Sequence, residues 1–328
     1  MGRSRFCESS AVLLLGGLLP VPLDWPTFVQ LCVNGLTLGS VYALLALGYS
    51  MVYGVLKLLN FAHGDVFMIG AFIGYGVLTA FGGAANLSVA VWLVIVLMLL
   101  AAMAGAGGLG VVIERVAYRP LRSAPRIAPL ISALGVSFFL QNSAQLLFGA
   151  ASKSYETFSL VDPASGIHWG NLNVWTVNAI VIGSAILMMV LLTYLVQRTR
   201  IGKAMRAVSY DREAAAMMGI DPDRVIVWTF FIGSALAGAG GVLIGLVLFQ
   251  AFPFMGFNYG LQAFTAAVVG GIGYIPGAMF GGLFIGFVQS FAQFEYATWF
   301  QLVSLSLLVL VMLLRPSGLF GKATVQKV

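Results

Sequence analysis

Residues 56–72 read LKLLNFAHGDVFMIGAF, and the chain on both sides is almost purely apolar. Within six positions the stretch nonetheless places Asn60, His63 and Asp65, with Gly64 between the last two. Asn and Asp are poor in a helix interior and good at its start, where a short acceptor side chain bonds free N–H groups of the first turn. A chain that leaves one helix near Leu59 and begins another between His63 and Asp65 accounts for the cluster. At membrane depth such a discontinuity is tolerated only where protein buries it or a water-filled path runs beside it. Ionisable residues within membrane segments are costly and mark a pathway by default, so Asn60, His63 and Asp65 are read as pathway residues. Lys57 supports the competing reading, a wet turn at the membrane surface.

Composition sets the medium. Of 328 residues, 60% are hydrophobic and 9% charged, with mean hydropathy +0.98, against about 25% charged in soluble domains. The chain is an integral membrane protein with too few polar residues to clothe a sizeable water-facing domain. Its net charge of +6 comes from Lys and Arg clustered in a few loops, a pattern that orients membrane proteins rather than one that binds nucleic acid. Two cysteines, Cys7 and Cys32, and two histidines, His63 and His168, support neither a disulfide framework nor a metal centre.

A helix needs roughly 20 apolar residues to cross the hydrocarbon core. Such segments lie near 28–55, 64–82, 87–113, 127–149, 173–197, 225–250, 258–294 and 297–314. The loop 114–126 carries Arg115, Arg119, Arg122 and Arg126, and the loop 198–224 carries Arg198, Arg200, Lys203, Arg206, Arg212 and Arg224. Both are expected on the cytoplasmic side, as is the C-terminus with Arg315, Lys322 and Lys327; residues 150–171, with Lys153 against Glu156 and Asp162, suit the outer face. That bookkeeping requires 258–294 to hold two spans or a re-entrant pair. Counting back puts residue 25 outside, while Arg3 and Arg5 favour the inside. The apolar run 11–23 is short for a span and lacks a clear cleavage site, so residues 1–27 read as an extension or signal-like segment.

A second interruption lies in AVVGGIGYIPGAMFGGLFIG, residues 267–286, where Gly270, Gly271, Gly273, Pro276 and Gly277 must break a long apolar helix. VFMIGAFIGYG follows the first break and AMFGGLFIGFV the second, a hint of an internal, inverted repeat. Paired Gly-interrupted segments in two halves of a transporter point to the solute route at the repeat interface, which adds Gly271, Gly273 and Pro276 to the pathway candidates. In the segment 127–149, Ser137, Gln141 and Gln145 recur every four residues with Asn142 beside them. That amide stripe faces the bundle interior, as interhelical bonding or as part of the path.

Residues 202–224, GKAMRAVSYDREAAAMMGIDPDR, predict one cytoplasmic helix over 203–219 without a breaker, a C-cap at Gly219, and Asp221-Pro222 opening the next span. A helix so short is marginal alone in water. Either an anionic leaflet holds it or a cytoplasmic partner does. The chain has no phosphate loop of its own: GLFGKA at 318–323 lacks the first Gly and the hydroxyl residue, and H-E-x-x-H and G-x-S-x-G are absent too. No cofactor is expected.

Four stretches together resemble the permeases of bacterial branched-chain amino acid ABC transporters, and the shorter of the two paired permeases in particular. They are NGLTLGSVYALLALGYSMVYGVLKLLNFAHGD, ERVAYRPLRSAPRIAPLISALGVSFFLQN, AAAMMGIDPDRV and AFTAAVVGGIGYIPGAMFGGLFIG. The resemblance implies an all-α polytopic transmembrane bundle with broken helices, of about 8–9 spans, with the permease domain over residues 28–320. It implies a second permease subunit, two cytoplasmic ATPase subunits and a periplasmic solute-binding protein. The 203–219 helix then resembles a coupling helix, with Arg206, Tyr210, Glu213, Ala214, Ala215 and Gly219 facing the ATPase; EAAAMMG matches the start of the importer loop pattern, whose later I-x-L-P is absent. Urea and short-chain amide importers have very similar permeases. From a different class, an ion-coupled transporter would use His63 or Asp65 to carry a proton, and a passive channel would leave the cytoplasmic helix unexplained.

Overall fold

A computed structural model of the chain describes residues 24–81, 91–122, 124–125, 127–155, 167–169, 172–295 and 300–321. Residues 1–23, with Arg3, Arg5 and Cys7, and Arg126, Glu156, Asp162, Lys322 and Lys327 lie outside them. The helices are α1 (Trp25–Leu56), α2 (His63–Ala80), α3 (Val91–Ile113), α4 (Ile127–Phe148), α5 (Thr176–Arg198), α6 (Arg200–Tyr210), α7 (Arg212–Met217), α8 (Pro222–Leu248), α9 (Met255–Gly270), α10 (Ile275–Glu295) and α11 (Phe300–Leu314). Among the described residues seven helices are long and apolar enough to cross a membrane. The helices α9 and α11, at 16 and 15 residues, are shorter. The expected all-α transmembrane bundle is what the chain forms, and the 258–294 segment does divide into two helices, α9 and α10.

Backbone-to-backbone packing builds the centre. On α1, Gly35, Gly39 and Ala43 recur every four residues and meet Gly286, Gly282 and Leu283 of the antiparallel α10. A Cβ added at Gly286 would stand 2.2 Å from the Gly39 Cα, and one at Gly282 would stand 2.3 Å from the Ala43 Cα. With no hydrophobic drive between helices in lipid, such close approach is what holds them together. The helix α8 does the same on its other side, where Gly238 lies against Gly70 of α2 and against Ala102 and Ala106 of α3. The helices α1 and α8 are the most enclosed spans, whereas α4 and α5 turn most of their surface outward.

The two arginine-rich loops lie at one end, called here the basic end. There α3 continues through a π-helical turn, Glu114–Tyr118, and a 3-10 turn, Arg119–Leu121. At the opposite end two short strands, β1 (Lys153–Ser154) and β4 (Gln250–Ala251), pair antiparallel, and β2 (Ile167–Trp169) and β3 (Leu172–Val174) form a hairpin, among the described residues.

The single helix predicted over 203–219 is two. Asp211, with φ −152° and ψ 118°, ends α6, and its carboxylate accepts from the Glu213 and Ala214 amides to cap α7. A short side chain that bonds the backbone two or three residues on offers the chain an alternative to continuous helix. The expected end at Gly219 is present: its φ is +81°, and the Ile220 and Gly219 amides bond the Ala215 and Ala216 carbonyls, the double closure that favours glycine. Asp221 then caps α8 through the Asp223 and Arg224 amides, with Pro222 in the first turn.

The packing predicts an asymmetry between glycines. Gly286→Ala should lower the thermal unfolding midpoint of the purified chain in detergent, at a cost of about 1–3 kcal/mol typical of overpacking. Gly76→Ala, where nothing lies within 4 Å of the added carbon, should leave it unchanged or raise it. Differential scanning fluorimetry of both variants checks this.

Candidate functional site

Lys57, in the left-handed region at φ 58°, ends α1, and its amide bonds the Tyr53 carbonyl. The chain does not start its next helix there. The His63 imidazole lies against Gly48 of α1, where an added Cβ would be 2.2 Å from Nε2, and packs edge-on to Tyr49 with ring centroids 4.7 Å apart. From Leu56 back to Gly48 is about 12 Å of helix. Residues 57–62 thus climb back into the bundle, and α2 begins inside it.

A mirror-image excursion comes from the other end. Past β4, the chain turns at Phe254, φ 71°, and α9 starts at Met255. Its first turns lie against the start of α2: a Cβ on Gly64 would be 2.3 Å from the Gly256 carbonyl oxygen and 3.0 Å from the Gly260 Cα. Two helix N-termini entering from opposite ends therefore touch within the bundle. Their first-turn N–H groups and aligned peptide dipoles are directed into this buried region, where the Asp65 carboxylate also lies.

The expected capping roles of Asn60 and Asp65 need correction. The cap position of α2 is Ala62, with no side-chain bond, and Asp65 falls in the first turn. Its carboxylate instead accepts hydrogen bonds from Ser137 Oγ and from Gln141 Nε2, the latter at 3.0 Å, both on α4. Gln141 also donates to Ser137 Oγ at 3.2 Å. Asn60 Oδ1 accepts from the Tyr118 hydroxyl at 3.0 Å, and the Leu59 carbonyl from the same hydroxyl at 3.3 Å. Asn60, His63 and Asp65 are all buried, so the break is not a solvated turn; Lys57 alone is exposed.

His63 and Asp65, two residues apart, point in different directions: the imidazole to α1, the carboxylate to α4. Among the described residues neither ring nitrogen makes a hydrogen bond. His63 and Asp65 are therefore not bonded to each other. The amide stripe divides as well. Ser137 and Gln141 face Asp65, Gln145 is half-buried, and Asn142 is exposed, its amide donating to the Phe138 carbonyl at 2.7 Å. Asn142 is therefore away from the Asp65 cluster.

Beside Asp65 lies a small cleft, about 70 Å³, walled by Tyr49, Phe61, Phe257, Leu261 and Phe264 and floored by Ser137, Gln141 and Gly256. Phe257, Phe264 and Tyr49 escaped the sequence reading, since aromatic residues in an apolar run carry no periodic signal that separates lining from core. The second break, Gly271–Tyr274, is at the basic end rather than beside this cleft. Gly271 and Gly273 adopt φ 108° and 90°, and the Leu319 and Phe320 amides bond the Val269 and Gly270 carbonyls. Gly273 packs against Tyr53 and Gly54, and Pro276 sits in the first turn of α10. Gly273 also lines a pocket of about 80 Å³ with Gly54, Met205 and Arg206. The candidates Gly271, Gly273 and Pro276 thus form a second group, near the α6–α7 segment.

That segment is tied to the spans through arginines. Arg206 donates to the Val196 carbonyl at 2.6 Å, and Arg212 to the Val55 and Leu56 carbonyls at 3.1 and 3.4 Å, meeting free groups at the end of α1. Ala215 is buried; Tyr210, Glu213, Ala214, Met217, Met218 and Gly219 are exposed. Tyr210 (96%), Met217 (88%) and Met218 (82%) form an apolar surface at the basic end.

Comparison with known proteins gives this geometry its context. The family model described as the branched-chain amino acid transport system permease component matches residues 31–312. The chain is 41% identical over 307 residues to the high-affinity branched-chain amino acid transport system permease protein LivH of Escherichia coli K12, covering 92% of this chain and 98% of that one. It is 41% identical over 309 residues to BraD, the corresponding permease protein of Pseudomonas aeruginosa, covering 92% of this chain and 98% of that one. It is 26% identical over 296 residues to a probable branched-chain amino acid transport permease protein of Methanocaldococcus jannaschii, covering 86% and 89%. No solved structure matches it. The match runs through both helix breaks, the α4 amides and the α6–α7 segment, and the chain is a multi-pass membrane protein belonging to the branched-chain amino acid transport permease family.

Proposed function

We propose that this chain is one permease subunit of an ATP-driven importer that moves leucine, isoleucine and valine across a bacterial inner membrane. A second permease, two cytoplasmic ATPase subunits and a periplasmic binding protein complete it. The observation that carries this reading is the family match over residues 31–312. The walls of the Asp65 cleft support the substrate class: aromatic and aliphatic side chains suit a branched hydrocarbon better than polar urea. Asn60, His63 and Asp65 then hold the α2 start in place, and the cleft between α4 and α9 forms this subunit's wall of the route. In this arrangement the basic end, with the C-terminus, faces the cytoplasm.

The α6–α7 segment is the ATPase contact. Tyr210, Met217 and Met218 supply its exposed apolar surface, and Glu213, Ala214 and Gly219 its shape. Arg212 passes movement of that segment to α1, whose Tyr49 packs against His63.

Uptake of labelled leucine into vesicles holding all subunits, with binding protein outside and trapped ATP inside, tests the assignment. Uptake that needs both is expected; uptake by this chain alone under a proton gradient would contradict it. Arg212→Ala removes charge-assisted bonds worth about 1.5–3 kcal/mol. It should cut leucine uptake at least tenfold while ATP hydrolysis by the assembled complex persists, measured as phosphate release. Asp65→Leu removes the acceptor that Ser137 and Gln141 share, leaving Gln141 only Ser137 Oγ, and should reduce both uptake and the thermal midpoint. Asp65→Asn, which keeps an acceptor oxygen, should retain the midpoint to within a few degrees by fluorimetry.

A further inference from the structure

Between the end of α3 and the start of α8, at the basic end, lies a cavity of about 310 Å³ lined by Glu114, Arg115, Arg119, Arg122, Asp223 and Trp228. Asp221, Arg224 and Val227 complete the lining, so four guanidinium groups face three carboxylates. The charges are unevenly spent. Arg122 bonds both Glu114, which is fully buried, and Asp223. Arg119 pairs with Asp223 at 3.1 Å, and Arg224 with Asp221 at 3.1 Å. Arg115 is exposed and has neither hydrogen bond nor ion pair among the described residues. The cavity therefore carries a net positive charge, with one guanidinium free and a second, Arg119, more than half exposed.

Val227 and Trp228 give its lining an apolar rim. Trp228 is 49% exposed, and Val112 (55%), one turn before Arg115, and Val116 (73%), next to it, are exposed on the adjoining helix. A soluble anion would use the guanidiniums and leave that rim unused. A phospholipid uses both, because a planar guanidinium binds phosphate oxygens two at a time and tryptophan is favoured at the headgroup level.

We propose that this cavity binds the phosphodiester headgroup of an anionic phospholipid from the adjacent leaflet. Arg115 and Arg119 take the phosphate, while Val112, Val116 and Trp228 take the glycerol and the upper acyl chains. The Glu114–Arg122–Asp223 linkage is the rigid floor. It joins the loop after α3 to the first turn of α8, directly beyond α7, so a bound lipid would brace the end of α8 nearest the ATPase contact.

The test is native mass spectrometry of the full-length chain, delipidated in detergent and offered phosphatidylglycerol, cardiolipin or phosphatidylcholine. Retention of one phosphatidylglycerol or cardiolipin at least threefold above phosphatidylcholine is expected. Arg115→Gln should abolish that preference, and Val116→Asn should weaken it without a change of charge. Arg200→Gln, an exposed arginine at the same end, should leave it intact. Equal losses in the Arg115 and Arg200 variants would show diffuse surface charge and overturn the proposal. So would inorganic phosphate stabilising the wild-type chain, but not Arg115→Gln, with no lipid preference. Unchanged lipid retention in Arg115→Gln with lost ATPase association would make the face a protein contact and overturn it equally.

Discussion

Everything in this fold depends on one constraint: inside hydrocarbon a backbone N–H or C=O without a partner costs several kcal/mol. A helix satisfies its own groups except at its ends, so a chain that ends helices within the membrane must wrap those ends in protein. Here the starts of α2 and α9 are wrapped by each other, with Gly64, Gly256 and Gly260 bringing the two backbones together. Side chains do the rest: Tyr118 holds Asn60, and Ser137 and Gln141 hold Asp65. Larger residues at the three glycines would separate the two starts and expose what they now cover.

The same geometry separates what is fixed from what is free to move. Glycine contacts lock α1 to α10 between Gly35 and Ala43, and α2 to α8 between Phe67 and Gly74. Polar bonds join α2 to α4, whose other faces are largely exposed. A few hydrogen bonds and the stacked Phe72–Phe148 rings reform more readily than an interdigitated backbone interface, so α4 is held less firmly than the central helices. On the basic side, Arg212 connects α7 to the end of α1, and the Arg122 linkage connects the loop after α3 to α8. Each long central helix is thus anchored at the basic end by an arginine from a neighbouring element.

Much of this was legible in the chain. Polar residues in an apolar run marked the first break, glycines and Pro276 marked the second, and four-residue spacing put Ser137 and Gln141 on one stripe. What failed did so for physical reasons. Asp211 was passed over as a helical residue because its helix propensity is only moderately poor, yet its side chain caps the next turn and splits the helix. Asn60 and Asp65 were assigned to capping because local rules describe a helix end in water. Buried, they bond across to Tyr118 and α4. The approach of α9 to Gly64 lies some 190 residues away in sequence, beyond any local pattern, and the aromatic wall of the cleft carries no signal separate from ordinary core.

The central claim is that two helix starts meet within the bundle beside a cleft, which is proposed above as this subunit's wall of the solute route. Cysteine accessibility tests it most directly. Single cysteines at Phe61 and Phe257, in a chain with Cys7 and Cys32 replaced by serine, would be probed with a membrane-impermeant maleimide in the complete transporter. Leu187, an outward-facing residue of α5, serves as the comparison. The account predicts labelling at both cleft positions that differs between the resting and the nucleotide-trapped complex, with none at Leu187. Labelling at Phe61 and Phe257 as low as at Leu187 in every state would contradict it.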